Sequence, residues 1–267
     1  MEMKCLPTFD LGAYSQLLDD LHRTGYSFEP LISLRHDSGR RVVYLRHDID
    51  FHLSGALRMA EIESERKISA TYFVLLTQHY NPMSAYNRRI LQQLGDLGQE
   101  IGLHYDLSTY PQDPEAARRH LDWEVSVLSV VTGKTVHAIS MHEPFLGVPD
   151  PFRQLKEYVH PHDERFQKDL LYVSDSCRAW RDEKLLTCFS FDSPRRVQIL
   201  THPELWLDGS YRDRLKYLEC VVTPNVFSET RSFLENKARH VWSTHPGSIL
   251  HDRRERKVQM CVSKDAT

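Results

Sequence analysis

At 267 residues the chain is long for one ordinary domain and short for two, a length that α/β barrels commonly fill as a single unit. An apolar fraction of 40% can fill a sizeable core, and 27% charged residues with a net charge of -3 describe an ordinary hydrated surface, which argues against disorder. Near-neutral charge without a long basic run argues against nucleic acid as the main partner, because neutralising phosphates takes clustered Lys or Arg.

In chain order, Met1 to Asp10 contains Glu2, Lys4 and Pro7 and lacks the continuous apolar core of a signal peptide. No later stretch approaches the roughly 18 apolar residues of a membrane span, so a cytoplasmic protein is expected. Leu11, Tyr14, Leu17, Leu18 and Leu21 at helical spacing predict an amphipathic covering helix over 11–25, stopping at Gly25. Val42-Val43-Tyr44-Leu45 predicts a buried strand that feeds into His47-Asp48-Ile49-Asp50. Ser54 is the expected cap of a helix over 55–67, followed by a strand over 70–76, a helix over 84–97 ending at Gly98, and a strand over 100–103 running into His104. A helix over 114–132 before Gly133 comes next, then a strand over 136–140 running into Met141-His142-Glu143-Pro144. The stretch 145–170, rich in Pro, His and charge, predicts a long loop. Strands over 170–173 and 197–201 run into Asp175 and into His202-Pro203. A last helix near 228–239 is read as a packing element, and the cluster Arg253, Arg254, Arg256, Lys257 as a solvated tail. The five cysteines are scattered without CxxC spacing, so neither a disulfide framework nor a zinc knuckle is indicated.

Strands alternating with helices imply a mostly parallel sheet covered by helices, here as one domain spanning 1–267. Chemically capable residues follow five predicted strands: Asp48 with Asp50, then His104, His142, Asp175 and His202. In a parallel barrel such strand ends converge on one mouth, where these folds keep their chemistry. Side chains two apart on a strand share a face, so Arg46, Asp48 and Asp50 point one way and His47 and Ile49 the other. Two neighbouring carboxylates raise one another's pKa unless Arg46 or a bound cation holds both ionised.

Arg46-His47-Asp48-Ile49-Asp50, Ala70-Thr71-Tyr72-Phe73 and Glu100-Ile101-Gly102-Leu103-His104-Tyr105-Asp106, in that order, resemble the polysaccharide deacetylase superfamily, the NodB-homology or family 4 carbohydrate esterases. The closer resemblance is to the divergent WbmS-like branch associated with surface-polysaccharide biosynthesis. It covers the chain from Gly25-Tyr26-Ser27-Phe28 to His202-Pro203-Glu204-Leu205-Trp206.

The resemblance implies an irregular, seven-stranded (β/α) barrel and a metal-dependent hydrolase that removes an N-acetyl group from an amino sugar. Asp48 would be the catalytic base, Asp50 a metal ligand, His104 the first of two family histidines, and His202 the general acid. The second family histidine falls on Ser108, a poor neutral ligand, so His142 is expected to complete the shell, with Asp106 as the next choice. Zinc is the first expectation among divalent metals. Asp175 and Arg46 would orient the catalytic groups, and Trp180 and Trp206 would lie near the sugar or pack behind the site. A nucleotide sugar or a lipid-linked saccharide is the expected partner. A deformylase or other C–N amide hydrolase on the same scaffold remains an alternative, as does a catalytically degenerate sugar-binding protein.

Overall fold

A computed structural model of the chain describes residues 6–36, 39–77, 80–143, 149–180 and 183–237. By its internal contacts the chain divides into two units, at Val222 and Thr223. The first carries a sheet of seven strands: β1 Ser27–Glu29, β2 Val42–Ile49, β3 Thr71–Leu75, β4 Glu100–Tyr105, β5 Ile139–Met141, β6 Leu170–Ser174 and β7 Arg196–Thr201. All pairings are parallel, in the order β5-β4-β3-β2-β7-β6. One edge of β2 is taken by β7, while the other is shared by β1 at Val42–Tyr44 and β3 at Arg46–Ile49. The central strand is thereby hydrogen-bonded along its length. The second unit opens with a helix over Thr223–Lys237. The predicted end of that helix at 238–239 and the basic cluster 253–257 lie outside the described residues.

Helices α1 Leu11–Arg23, α2 Leu53–Glu65, α3 Ala85–Asp96 and α4 Pro114–Thr132 fall where the 3.6-residue apolar spacing places them. Capping fixes their starts: Asp10, Ser84 and Asp113 accept the N–H three residues on, and Gly133 takes the left-handed conformation that ends α4. The expected cap at Ser54 is displaced. His52, buried and neutral with its pKa pushed down to about 4, is the N-cap of α2, and Nδ1 faces the Gly55 N–H at 3.4 Å. An imidazole lone pair serves where a hydroxyl was expected.

The strand entering the site is also longer than its apolar run. β2 continues to Ile49, so Arg46, His47 and Asp48 are buried strand residues and not part of a loop. Each is paired, and pairing lets a charged residue occupy a strand interior that hydropathy reserves for apolar ones. On the outer face His47 lies against Thr201 Oγ1 at 2.7 Å and Glu63 Oε1 of α2 at 2.8 Å. Tyr14 and Tyr72 donate to the same Glu63 carboxylate, tying α1 and β3 to it.

The inner face shows the curl of the sheet. Val42 and Tyr44 of β2, Phe73 of β3, Ala138 before β5 and Val159 form one buried cluster with Leu31 and Leu34, and Leu170 of β6 packs against it. Val159 lies beside the strand edge in parallel, bonded to His137 O and Ile139 N. The segment that follows brings the His162 ring to 5.3 Å from Tyr172 of β6. Among the described residues no ladder joins β5 to β6, so the sheet is a half-barrel whose open side faces the 159–166 segment. At its centre Gly102 is required: a Cβ there would sit 2.5 Å from the Phe73 ring and 2.9 Å from Ala138 O.

Candidate metal centre

Parallel strands deliver their carboxyl ends to one side, and the predicted residues meet there. Asp48 lies in β2 with Asp50 just beyond it, His104 lies in β4, His142 follows β5, Asp175 follows β6, and His202 follows β7. Asp50, His104 and His142 each offer an atom within 4.8 Å of the others'. The separations are 3.3 Å between His142 Nδ1 and His104 Nε2, 3.5 Å between His142 Nδ1 and Asp50 Oδ1, and 3.7 Å between His104 Nε2 and Asp50 Oδ1.

The protonation of His104 follows from its partner. Its Nδ1 faces the Ser140 carbonyl at 2.9 Å; a carbonyl can only accept, so the proton sits on Nδ1 and Nε2 presents a lone pair. Burial lowers the pKa of His104 and keeps the ring neutral. Asp50 Oδ1 is buried without a hydrogen-bond partner among the described residues. Burial opposes charge on His142, but Asp50 outweighs it and raises its pKa, so without a metal a proton on His142 Nδ1 lies between the Asp50 carboxylate and the His104 lone pair, and a cation would take that proton's place. The donor set, two imidazoles and one carboxylate, fits a divalent ion of the zinc type with positions left open, and carboxylate and imidazole equally suit cobalt, nickel, iron or manganese.

Two further groups approach this triad. Arg46 holds Asp48 in a fork, with Nε to Oδ1 at 2.8 Å and Nη2 to Oδ2 at 2.7 Å, and Asp48 Oδ2 lies 3.5 Å from His104 Nε2. Burial would raise the Asp48 pKa, but Arg46 and the neighbouring imidazoles outweigh it and hold the carboxyl well below the usual range. Asp48 is therefore ionised at neutral pH. On another side, His202 Nε2 stands 3.8 Å from Asp50 Oδ2, while its Nδ1–H donates to Asp175 Oδ1 at 2.6 Å. Burial opposes charge on this ring, yet Asp175, Asp50 and Asp48 push its pKa up to about 10. One group beside the triad is held as an anion and another as a cation.

Asp175 is wholly buried and also accepts the His202 N–H at 3.0 Å and the Trp206 indole N–H at 2.8 Å. Trp206 thus packs behind the site and is fully buried. Trp180, 9% exposed, stacks on Phe9 at 5.9 Å and meets Trp206 edge-on at 5.8 Å. With their faces covered by protein, neither indole can serve as a sugar platform; an aromatic residue near a motif is as readily recruited to a core. Asp106 is not among the residues that converge there; its Oδ1 accepts the Ser108 N–H at 2.9 Å to cap a short turn, and Ser108 itself is exposed.

Three neighbours of the site were not anticipated from sequence. Ser140 accepts from the Arg46 guanidinium and lends its carbonyl to His104. His162 Nε2 faces Arg46 Nη1 at 3.3 Å. Glu204, fully buried, accepts the Asp50 N–H at 3.0 Å, and burial with the nearby Asp50 charge pushes its pKa up to about 8. Proximity to His202 in sequence was the one signal for Glu204; His162 lies 114 residues from Asp48 and had none.

No family model matches the chain. No curated protein matches it either. Among solved structures, the chain is similar to a family 4 carbohydrate esterase from Bacillus anthracis at 17% identity, covering 80% of this chain and 86% of that one with a TM-score of 0.40. A peptidoglycan deacetylase from Bacillus subtilis, PdaC, matches at 15% identity over 77% of this chain and all of its own, with a TM-score of 0.43. The Xyl-CE4 domain of a multidomain xylanase from the hindgut metagenome of Trinervitermes trinervoides matches at 12% identity over 72% and 84%, with a TM-score of 0.41. At these scores the site stands on its own atoms. No helix among the described residues is long and apolar enough to cross a membrane.

Proposed function

We propose that the chain is a divalent-metal-dependent hydrolase that removes the N-acetyl group from an amino sugar, acting on a cytoplasmic precursor of a surface polysaccharide. The observation that carries this reading is the Asp50, His104 and His142 triad approached by an ionised carboxylate, Asp48, and a protonated imidazole, His202. Amide hydrolysis needs both at once: a base for the attacking water and an acid for the departing nitrogen, which leaves poorly as an anion. The motifs around Asp48, His104 and His202 resemble those of carbohydrate deacetylases, which is what directs the amide to an amino sugar.

A divalent ion, zinc in the first instance, would supply Lewis acidity for the acetyl carbonyl and the attacking water. Asp48 Oδ2, fixed by Arg46, accepts a proton from the water. His202 keeps its second proton because Asp175 holds Nδ1–H, so Nε2–H is the proton delivered to the amine. Acetate and a free amino sugar leave. Asp48 is then returned to its anionic form by loss of its proton to solvent, and His202 is reprotonated.

The test is a mass-resolved screen of N-acylated nucleotide sugars and lipid-linked saccharides with the zinc- or cobalt-loaded protein. Acetate with an equivalent of free amine is expected; formate in its place would move the reading to a deformylase. Absence of either product across the panel, with the metal bound, would refute the hydrolase.

A further inference from the structure

The His160-Pro161-His162 run plays no part in the mechanism above, yet it reaches the base. Arg46 is 1% exposed, and its Nε and Nη2 are committed to Asp48, with Nη2 also reaching Ser140. That leaves Nη1, whose partner is His162 Nε2 at 3.3 Å. A guanidinium can only donate, so Nε2 accepts and the ring is neutral; burial and the adjacent Arg46 charge push its pKa down to about 3.

His162 is in turn held from behind. Its backbone N–H donates to His160 Nδ1 at 3.1 Å, which puts the His160 proton on Nε2, 3.1 Å from Asp150 Oδ2. Tyr105 of β4 donates to Asp150 Oδ1 at 2.6 Å. His160, Asp150 and Tyr105 are all buried, and the His162 ring lies edge-on to Tyr172 of β6 at 5.3 Å. The segment crossing the open side of the half-barrel therefore ends in an acceptor aimed at the third nitrogen of Arg46.

We infer that His162 is a positioning residue that fixes the Arg46 guanidinium, and through it the orientation of the Asp48 carboxylate, with the Tyr105–Asp150–His160 network as its anchor. The kinetic part of this inference rests on the hydrolase reading; the structural part does not. Without the acceptor, Nη1 is a buried donor with no partner, and the guanidinium plane is free to tilt away from the fork.

The decisive variants are His162→Phe, which keeps a ring against Tyr172 and removes the acceptor, and His162→Gln, whose amide oxygen reaches the position of Nε2. With the zinc-loaded protein, His162→Phe should lower kcat by about tenfold at unchanged KM and unchanged zinc affinity, and His162→Gln should restore most of it. In parallel, hydrogen exchange of the Arg46 Nε–H, followed by NMR without substrate, should speed up in the Phe variant and stay slow in the Gln variant. Wild-type kcat and wild-type exchange in the Phe variant would overturn the inference, as would equal losses in both variants. A wild-type protein inactive on every substrate, or an Asp48→Asn protein as active as wild type, would overturn the hydrolase reading alone, and the Arg46 exchange rates would then decide this inference.

Discussion

Replacing Asp175 by Asn tests the acid side of the site with the least change in shape. The carboxylate serves three donors: the His202 N–H and the Trp206 indole share Oδ2, and the His202 Nδ1–H takes Oδ1. In the Asn variant the amide oxygen stays with the first two, and the NH2 group turns to His202 Nδ1. Nδ1 must then accept, which drives the proton to Nε2 and leaves a neutral ring. In the wild type, burial works against the charged ring, but Asp175 and the other carboxylates lift its pKa from 6.5 to about 10, equivalent to about 5 kcal/mol in favour of the imidazolium. Losing the Asp175 part of that leaves a neutral ring, whose Nε2–H is too weak an acid to protonate the departing amine, and kcat should fall by about 10³–10⁴ with KM little changed. The assay is acetate release from the preferred N-acetyl sugar by the metal-loaded protein at pH 7, with zinc content measured on the same samples. An Asp175→Asn protein within tenfold of wild type, its metal intact, would refute the reasoning that Asp175 keeps His202 protonated.

Asp48→Asn should abolish turnover while retaining the metal, whereas His104→Ala, His142→Ala and Asp50→Asn should each weaken zinc binding by about 100-fold or more, read by competitive chelation. Cation-free protein should lose stability as pH rises above neutrality. His202 and Glu204 have folded pKa values of about 10 and about 8, both above their unfolded values, so each contribution is fully present below the unfolded pKa and is lost as pH rises through the folded one. Urea midpoints should fall from about pH 7 to 10, above the range in which the buried neutral His52 and His162 work in the opposite sense, and Glu204→Gln should flatten the part below about pH 8; a flat wild-type profile over that range would contradict both assignments. Gly102→Ala should cost about 1–3 kcal/mol in urea unfolding, because its Cβ displaces the Phe73 ring, above which Arg46 lies at 5.3 Å.

Much of this was legible in the chain itself. Period 3.6 located α1 to α4, and turn residues such as Gly98 and Gly133 marked where helices stop, since these are local signals. The alternation in Arg46-His47-Asp48-Ile49-Asp50 told which side chains share a face, and the structure keeps that division, with Arg46 on Asp48 and His47 on Glu63. The three-residue β1 was not legible, and the apolar run alone stopped short of the Ile49 end of β2. A short strand carries no period, and a charged residue inside a strand is stable only through partners remote in sequence.

The sequence by itself determined the order of strands and helices and the residue types at the strand ends, because backbone preference and burial are properties of neighbouring residues. Only the tertiary structure decided which of those ends meet: that His142 joins Asp50 and His104 where Asp106 does not, that both tryptophans belong to the core, and that His162 stands on Arg46. These depend on the curl of the sheet, which brings β5, β6 and the 159–166 segment to the same side of β2. Contacts of that kind are set by how layers close in space, and no local pattern encodes them.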